Sequence, residues 1–312
     1  MNDWRPTASI EVLKKRSDII RSIREFFYAQ NIIEIETPLL AKFGVTDPYN
    51  DNFSCDYFGE TYYLQTSPEY HLKRLLCAGA PDLFQLSKSF RYEPCGKHHN
   101  SEFTMLEWYR LDFDYHQLIE ETLQLINIII PNIKVKKFTY KNLFEKYSGF
   151  DAFVITKNEL ISYAIKYGFV SHDLEMSKDD WLNLIMSHQI EPQLKVEENC
   201  VVIYDFPSSQ ASLAVIKGEI AQRFEIYING IELANGFQEL AEPVEQVARF
   251  KDDLLQRKKT SKNQMQIDSY FIDALKFGLP NCSGVALGID RLIMAALNLQ
   301  DIKQVLSFQT SN

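Results

Sequence analysis

Nowhere in this chain do apolar residues run for the roughly 18 uninterrupted positions that a membrane span requires. The nearest stretch, Leu123–Pro131, is too short and is broken by Gln124 and Asn127. The N-terminus, MNDWRPTAS, lacks a hydrophobic segment with a small-residue cleavage site, which argues against secretion. Cysteine is scarce: Cys55, Cys77, Cys95, Cys200 and Cys282 are odd in number, scattered, and form no CxxC pair. That argues against a disulfide frame and a zinc site, and suits reduced thiols in the cytoplasm. An excess of positive charge is also missing. The net charge is −9, so the basic face of a nucleic-acid binder is not advertised. Lys14–Arg16, Lys134–Lys137 and Arg257–Lys262 are basic clusters, but each is short and reads as a solvated face. Internal repeats and low-complexity linkers are absent as well.

What is present is an ordinary globular composition, with 46% apolar and 24% charged residues. Aromatic residues reach 13%, which argues against disorder. With 312 residues the chain can bury one large core or two modest ones. Leu13, Ile20, Ile23 and Phe27 recur at helical spacing and predict a helix from Ser9 to about Gln30. Ile33 and Ile35 alternate with Glu34 and Glu36 in a strand over 32–38 that Pro38 stops. Tyr62–Gln65 reads as a strand, and Pro68–Gly79 as a helix with proline in its first turn. Leu83–Tyr92 and Glu102–Tyr109 read as an antiparallel pair around a polar hairpin.

From Tyr115 to Gln189 helical periodicity dominates, over Tyr115–Ile129, Tyr140–Tyr147, Lys157–Tyr167 and Ser177–His188. This stretch reads as an insertion or flank at about 115–190. Strands return at Cys200–Tyr204, Ser212–Ala214, Arg223–Ile228 and Ile231–Glu239, the last two closed by Asn229–Gly230. Helices at Pro243–Lys258 and Ile267–Phe277 precede a strand, Gly284–Gly288, and a last helix, Asp290–Leu297. The order is not alternating β-α-β-α, so an α+β fold with a mostly antiparallel sheet is expected.

Two stretches carry the chemistry. Phe90–Tyr109, FRYEPCGKHHNSEFTMLEWY, places Arg91 and Glu93 at one strand end and returns with Phe103, Met105 and Glu107. Gly284–Arg291, GVALGIDR, is a glycine-punctuated strand running into a helix whose first turn holds Arg291. Arginine grips phosphate with a planar two-pronged contact and carboxylates hold magnesium, so this pairing suits a bent, metal-bound triphosphate. His71, His98, His116, His172 and His188 form no metal-binding spacing, whereas His99 stands near the expected triphosphate.

Phe90-Arg91-x-Glu93, the hairpin through His99-Asn100 to Phe103, and Gly284-x-x-x-Gly288-x-Asp290-Arg291 resemble motifs 2 and 3 of class II aminoacyl-tRNA synthetases. The helix-to-strand passage ending at Pro38 resembles motif 1. TSPE (Thr66–Glu69), HNSEFTMLEWY (His99–Tyr109) and ELANGFQEL (Glu232–Leu240) are similar to lysyl-tRNA synthetase. The resemblance runs from about Ser9 to Ser307. It implies one catalytic domain over 1–312, built on a mainly antiparallel six- to seven-stranded sheet flanked by helices. The motif 1 helix starts near Ser9, so no N-terminal anticodon-binding OB domain is expected. A bare lysyl-type core, with FPSSQASLA (Phe206–Ala214) and NCSGVALGIDR (Asn281–Arg291), resembles the elongation factor P–lysine ligase family.

That resemblance implies an ATP-dependent, magnesium-using ligase. It would adenylate (R)-β-lysine and attach it to a lysine side chain of elongation factor P, with tRNA not expected as acceptor. Motif 1 builds the dimer interface in this class, so a homodimer is implied. By the same resemblance Arg91 bridges the substrate carboxylate and the α-phosphate. Tyr92, Glu93, Asn100, Glu232, Leu233 and Gly288 join the ATP site, with Phe103 and Arg291 sandwiching the adenine. Glu225 and Glu232 become magnesium ligands. Ser67, Pro68, Glu69, Glu107, Tyr109 and Glu239 form the lysine pocket. The rival readings are a stand-alone synthetase acting on tRNA, an enzyme making a free amide, and a non-catalytic amino-acid sensor.

This sequence departs from the lysyl pattern in places. Asn31 stands at a usual glycine of motif 1, and asparagine tolerates a left-handed backbone. Tyr92 and Pro94 replace the usual residues of motif 2. Ala234 and Ala286 stand where lysyl-tRNA synthetases carry glycine. A methyl group there removes space near an α-amine, which an amine one carbon farther along tolerates better.

Overall fold

The Ser9 hydroxyl accepts the Val12 amide at 3.2 Å and caps α1 (Ile10–Tyr28). Such a cap satisfies one of the amides a helix start leaves open, a contribution of about 1 kcal/mol. Ile23 and Phe27, four residues apart on one face, are the buried residues of this helix. The Phe27 ring stacks on Phe84 at 4.5 Å and meets Trp108 edge-on at 5.3 Å, fixing the helix against the sheet behind the site. Asn31 leaves the helix with φ +58°, the left-handed conformation its side chain permits.

The computed structural model describes residues 4–197 and 199–309. After α1 come β1 (Ile33–Glu34), β2 (Leu40–Ala41), β3 (Ser54–Tyr57), β4 (Glu60–Leu64) and α2 (Glu69–Cys77). The motif 2 pair is β5 (Leu83–Phe90) and β6 (Glu102–Leu111), followed by α3 (Tyr115–Ile129). Then follow β7 (Val135–Thr139), α4 (Tyr140–Ser148), α5 (Lys157–Lys166), α6 (Lys178–Ile185) and α7 (Glu191–Glu197). Next are β8 (Cys200–Pro207), β9 (Ile216–Lys217), β10 (Ile220–Ile228) and β11 (Ile231–Gln238). The chain closes with α8 (Pro243–Lys259), α9 (Ser269–Phe277), β12 (Cys282–Gly288) and α10 (Ile289–Ala296).

Two compact units result: Met1–Pro131 with Glu239–Asn312, and Asn132–Gln238. In the first, β1 runs parallel to β5, and β5, β6 and β12 are antiparallel neighbours. Register pairs Gln85 with Glu107 and Glu107 with Ala286, and pairs Tyr109 with Gly284. Because side chains alternate along a strand, Gln85, Ser87, Ser89, Phe103, Met105, Glu107, Tyr109, Gly284, Ala286 and Gly288 share one face. The opposite face carries Phe84 and Trp108 and packs on α1. A separate small sheet orders its strands β2-β4-β3.

In the second unit β7 is parallel to β8, while β10 pairs antiparallel with β8, β11 and β9. Helices α4 to α7 bury Phe144, Trp181 and Ile185 in one cluster with Val201 and Ile203 of β8. The β10–β11 turn is Asn229–Gly230, both residues left-handed at φ +51° and +78°, as a two-residue hairpin requires.

Several expectations shift. The α+β class and mostly antiparallel pairing hold, but among the described residues the sheet strands number nine rather than six to seven, four in the first unit and five in the second. The helical stretch does not follow the unit boundary, since α3 belongs to the first unit and α4 to α7 to the second. Ser212–Ala214, read as a strand, is a turn: Ser212 has φ +50° and the Ala214 amide reaches Ala211 O at 2.8 Å. The helix expected over Ser177–His188 becomes α6 followed by a wider π turn, Met186–Ile190.

Candidate active site

Against the shared face of the first unit, two carboxylates, Glu69 and Glu239, pair with one buried lysine of α2, and a third, Glu107, lies beside them. Ser67 Oγ donates to Glu107 Oε1 at 2.5 Å, and the Tyr109 hydroxyl donates to Glu107 Oε2 at 3.3 Å. The Glu69 amide donates to Ser67 Oγ at 3.1 Å, which fixes that hydroxyl at the start of α2. One turn on, Lys73 Nζ donates to Glu69 Oε1 and pairs with Glu239 Oε2, both at 2.5 Å. Lys73 is 0% exposed, so its ammonium has exchanged water for these two acids. Pro68, also buried, caps the helix that carries Glu69 and Lys73. Gly284 closes the wall: a Cβ there would collide with the Tyr109 ring and the Glu239 carboxylate.

The electrostatics follow from burial. Burial pushes the Glu107 carboxyl up to about 8 and the neighbouring Glu69 charge adds to this, against the hydrogen bonds from Ser67 and Tyr109. Burial likewise lifts Glu239 to about 7, opposed by Lys73. Burial works against the Lys73 ammonium, but Glu239 and Glu69 outweigh it and hold its pKa above the ordinary lysine value. Tyr109, buried beside Glu107, titrates well above a free phenol.

Farther along the face, the Arg91 guanidinium lies over the Phe103 ring at 5.1 Å. Arg91 Nε is buried and has no hydrogen-bond partner among the described residues. The hairpin between β5 and β6 is tied by Arg91 N to Ser101 O at 2.9 Å and by Ser101 Oγ to Glu93 O at 3.0 Å. Asn100 Nδ2 adds a bond to Glu102 O at 2.6 Å. Tyr92 is 66% exposed, its ring edge-on to Phe53 at 5.2 Å. Arg291 Nη2 donates to His99 Nε2 at 2.7 Å. Burial and the Arg291 charge lower the His99 pKa, consistent with an imidazole that accepts. The guanidinium over Phe103 is thus that of Arg91, while Arg291 is engaged by His99. Gly288 precedes α10 at its N-cap.

Glu225, Glu232 and Leu233 lie in the second unit, on β10 and β11. Glu225 accepts from Arg223 and, at 2.7 Å, from the Tyr227 hydroxyl; Tyr227 stands opposite Glu232 across the hairpin. The two carboxylates therefore share a face. Among the described residues no group of three or more His, Cys, Asp or Glu is placed to hold a metal. Magnesium is commonly held by one or two carboxylates with substrate phosphates and water, so this donor pair fits it.

Two residues, Lys73 and Arg223, escaped the sequence reading, and a third, Asp290, was read only as a member of the Gly284–Arg291 string. Lys73 shows itself only by standing four positions after Glu69 on a predicted helix. Asp290, 2% exposed, accepts from Arg16 at 2.6 Å and from the Thr104 amide at 2.7 Å, joining α1, β6 and α10 directly beside Arg291. Arg223, beside Glu225, left no signal in the pattern.

Similarity to known proteins accords with this arrangement. Residues 1–312 match the family described as "tRNA synthetases class II (D, K and N)". A protein of Haemophilus influenzae strain PittGG named "Elongation factor P--(R)-beta-lysine ligase" is 46% identical, over 100% of this chain and 99% of its own. Proteins of the same name from Haemophilus ducreyi and Pseudoalteromonas translucida are each 44% identical, over 98% and 100% of this chain and 96% and 99% of theirs. The chain belongs to the class II tRNA synthetases (D, K and N) and, among them, to the elongation factor P–(R)-β-lysine ligase family.

Proposed function

We propose that the chain is an ATP-dependent ligase that adenylates (R)-β-lysine and transfers it to the ε-amine of a lysine of elongation factor P. The observation that carries this reading is the acidic group of buried Glu107 and Glu239 with half-buried Glu69 of α2, lying against the sheet face that also carries Phe103 and leads to Arg91. A cationic amino acid and a nucleotide have complementary residues at two ends of one rigid face. The name carried by the full-length relatives supports the choice of substrate and acceptor.

In this reading Ser67, Pro68, Glu69, Glu107, Tyr109 and Glu239 take the amine-bearing body, and its carboxylate lies toward Arg91. The carboxylate attacks the α-phosphorus of ATP and pyrophosphate leaves. Arg91 stabilises the charge growing on the phosphoryl oxygens. Tyr92, Glu93, Asn100, Phe103, Leu233, Gly288 and Arg291 hold the nucleotide. Glu225 and Glu232 would hold magnesium, which when bound neutralises phosphate charge. The acceptor ε-amine then attacks the adenylate carbonyl and AMP departs. No side chain becomes acylated; positioning by β5, β6 and β12 and fixed charge carry the rate. Both units belong to one catalytic domain in this reading, which acts in the cytoplasm as a homodimer with motif 1 at the interface.

ATP–pyrophosphate exchange with (R)-β-lysine, (S)-β-lysine and α-lysine tests the first step. Exchange fastest with (R)-β-lysine, followed by transfer to elongation factor P, is the expected result. Transfer to tRNA instead would overturn the acceptor, and no exchange with any of the three would leave a binding protein.

A further inference from the structure

Lys73 has no place in the reaction just described, yet it is the cation in the middle of its pocket. Burying a charged lysine carries a desolvation cost that an apolar side chain of the same length avoids. Its two partners are both pocket carboxylates, Glu69 and Glu239, held at 2.5 Å. The third acid, Glu107, feels the Lys73 charge but among the described residues has no ion-pair partner; its hydrogen bonds come from Ser67 and Tyr109. Three carboxylates less one ammonium leave two negative charges, the number that the two ammonium groups of a diamino acid cancel.

We propose that Lys73 is a specificity-determining positioning residue: it holds Glu69 and Glu239 in place and sets the pocket's charge to match two ammonium groups, so that binding a diamino acid releases a proton from the pocket. This rests on the functional reading above and deepens it. Every group facing Glu107 enters the count. From α2 these are Glu69 and Lys73, from its own strand Tyr109, and Glu239 through Lys73. Strands β5 and β12 oppose it with the uncharged Gln85 and Ala286. Cys282 and Cys77 are buried near Lys73 with thiols raised by that burial, so they stay neutral. The elevated pKa of Glu107 agrees with a proton held there near neutrality. Two buried negative charges without a ligand would be costly, and one retained proton halves them.

Calorimetric titration of the full chain at pH 7.0, in buffers of different ionisation enthalpy, counts protons exchanged per ligand bound. Wild type is expected to release about one proton with (R)-β-lysine and about none with 6-aminohexanoate, which carries a single ammonium group. Lys73→Met is expected to raise the count with (R)-β-lysine to about two, because Glu239 then holds a proton in the empty pocket as well. Lys73→Arg is expected to restore the wild-type count. A merely structural lysine would change affinity or melting temperature and leave the count alone. Should Lys73→Met not fold, the comparison of the two ligands on wild type decides: equal counts overturn the proposal. An unchanged count in folded Lys73→Met also overturns it. If (R)-β-lysine fails to bind wild type, the functional reading falls and this inference with it. If it binds without releasing a proton, only the inference falls.

Discussion

The Arg91 guanidinium rests 5.1 Å above the Phe103 ring, and its buried Nε has no hydrogen-bond partner among the described residues. The ring holds the arginine flat at the end of β5, and a buried donor without a partner is costly unless a ligand completes it. Lysine cannot replace this fork, because its ammonium is a point charge without the planar pair of donors. Arg91→Lys is therefore expected to lower kcat/KM for ATP–pyrophosphate exchange about 10²–10³-fold, the scale of losing one aimed transition-state donor. Phe103→Leu should weaken ATP about tenfold through lost stacking. Exchange kinetics check both, and melting temperatures close to wild type would show that folding is intact.

Glu107 links the stability of the empty enzyme to pH. Its folded pKa, about 8, lies above the ordinary carboxylate value, so the folded state binds more protons than the unfolded chain between those two values. Stability from this group is fully present below the unfolded pKa and is lost as pH rises toward 8, by up to about 1.4 kcal/mol per pH unit. Glu107→Gln, which keeps the shape without the titration, should flatten that slope. Denaturant midpoints of the two proteins across pH 5 to 8 give the comparison, and parallel curves would contradict the assignment.

The parts of this site that could be read from the sequence are those with local signals. Ser9 announces α1, Asn229–Gly230 announces the β10–β11 turn, and alternation on either side of the polar hairpin places β5 against β6. Strand β3 gives only a weak signal, because SCDY is four residues long and exposed throughout, with no alternation in burial. Strand β7 is similar, with Val135, Lys136 and Lys137 all exposed. Lys73 was hidden for a different reason. A lysine on an amphipathic helix ordinarily faces water, and what buries it is Glu239, brought there by tertiary packing rather than by the helix itself. Asp290 was legible as part of the Gly284–Arg291 string, but its bonds were not, because its partners Arg16 and Thr104 come from two distant segments.

Gly284 tests how tightly the pocket is drawn. A methyl group there would meet the Tyr109 ring and the Glu239 carboxylate at once, neither of which is the loose end of a flexible chain. Tyr109 is 3% and Glu239 5% exposed, so neither has room to retreat. Gly284→Ala should lower stability by roughly 1–3 kcal/mol, the usual penalty for overpacking. It should also raise KM for the amino acid far more than KM for ATP. An unchanged amino-acid KM in folded Gly284→Ala would mean that the amine does not bind beside Tyr109 and Glu239.

Ala286 stands two residues farther along β12, directly opposite Glu107 and on the same face. Its methyl group is a fixed obstacle on a strand, since the backbone there is paired residue by residue with β6. An amine on the α-carbon of a substrate needs that space more than an amine one carbon farther on. Ala286→Gly should therefore raise kcat/KM for α-lysine about tenfold relative to (R)-β-lysine, within the range that one methyl-sized change in a pocket controls. The exchange assay run with both amino acids on both proteins measures the ratio. A preference that stays where it was would place the discrimination elsewhere in the pocket.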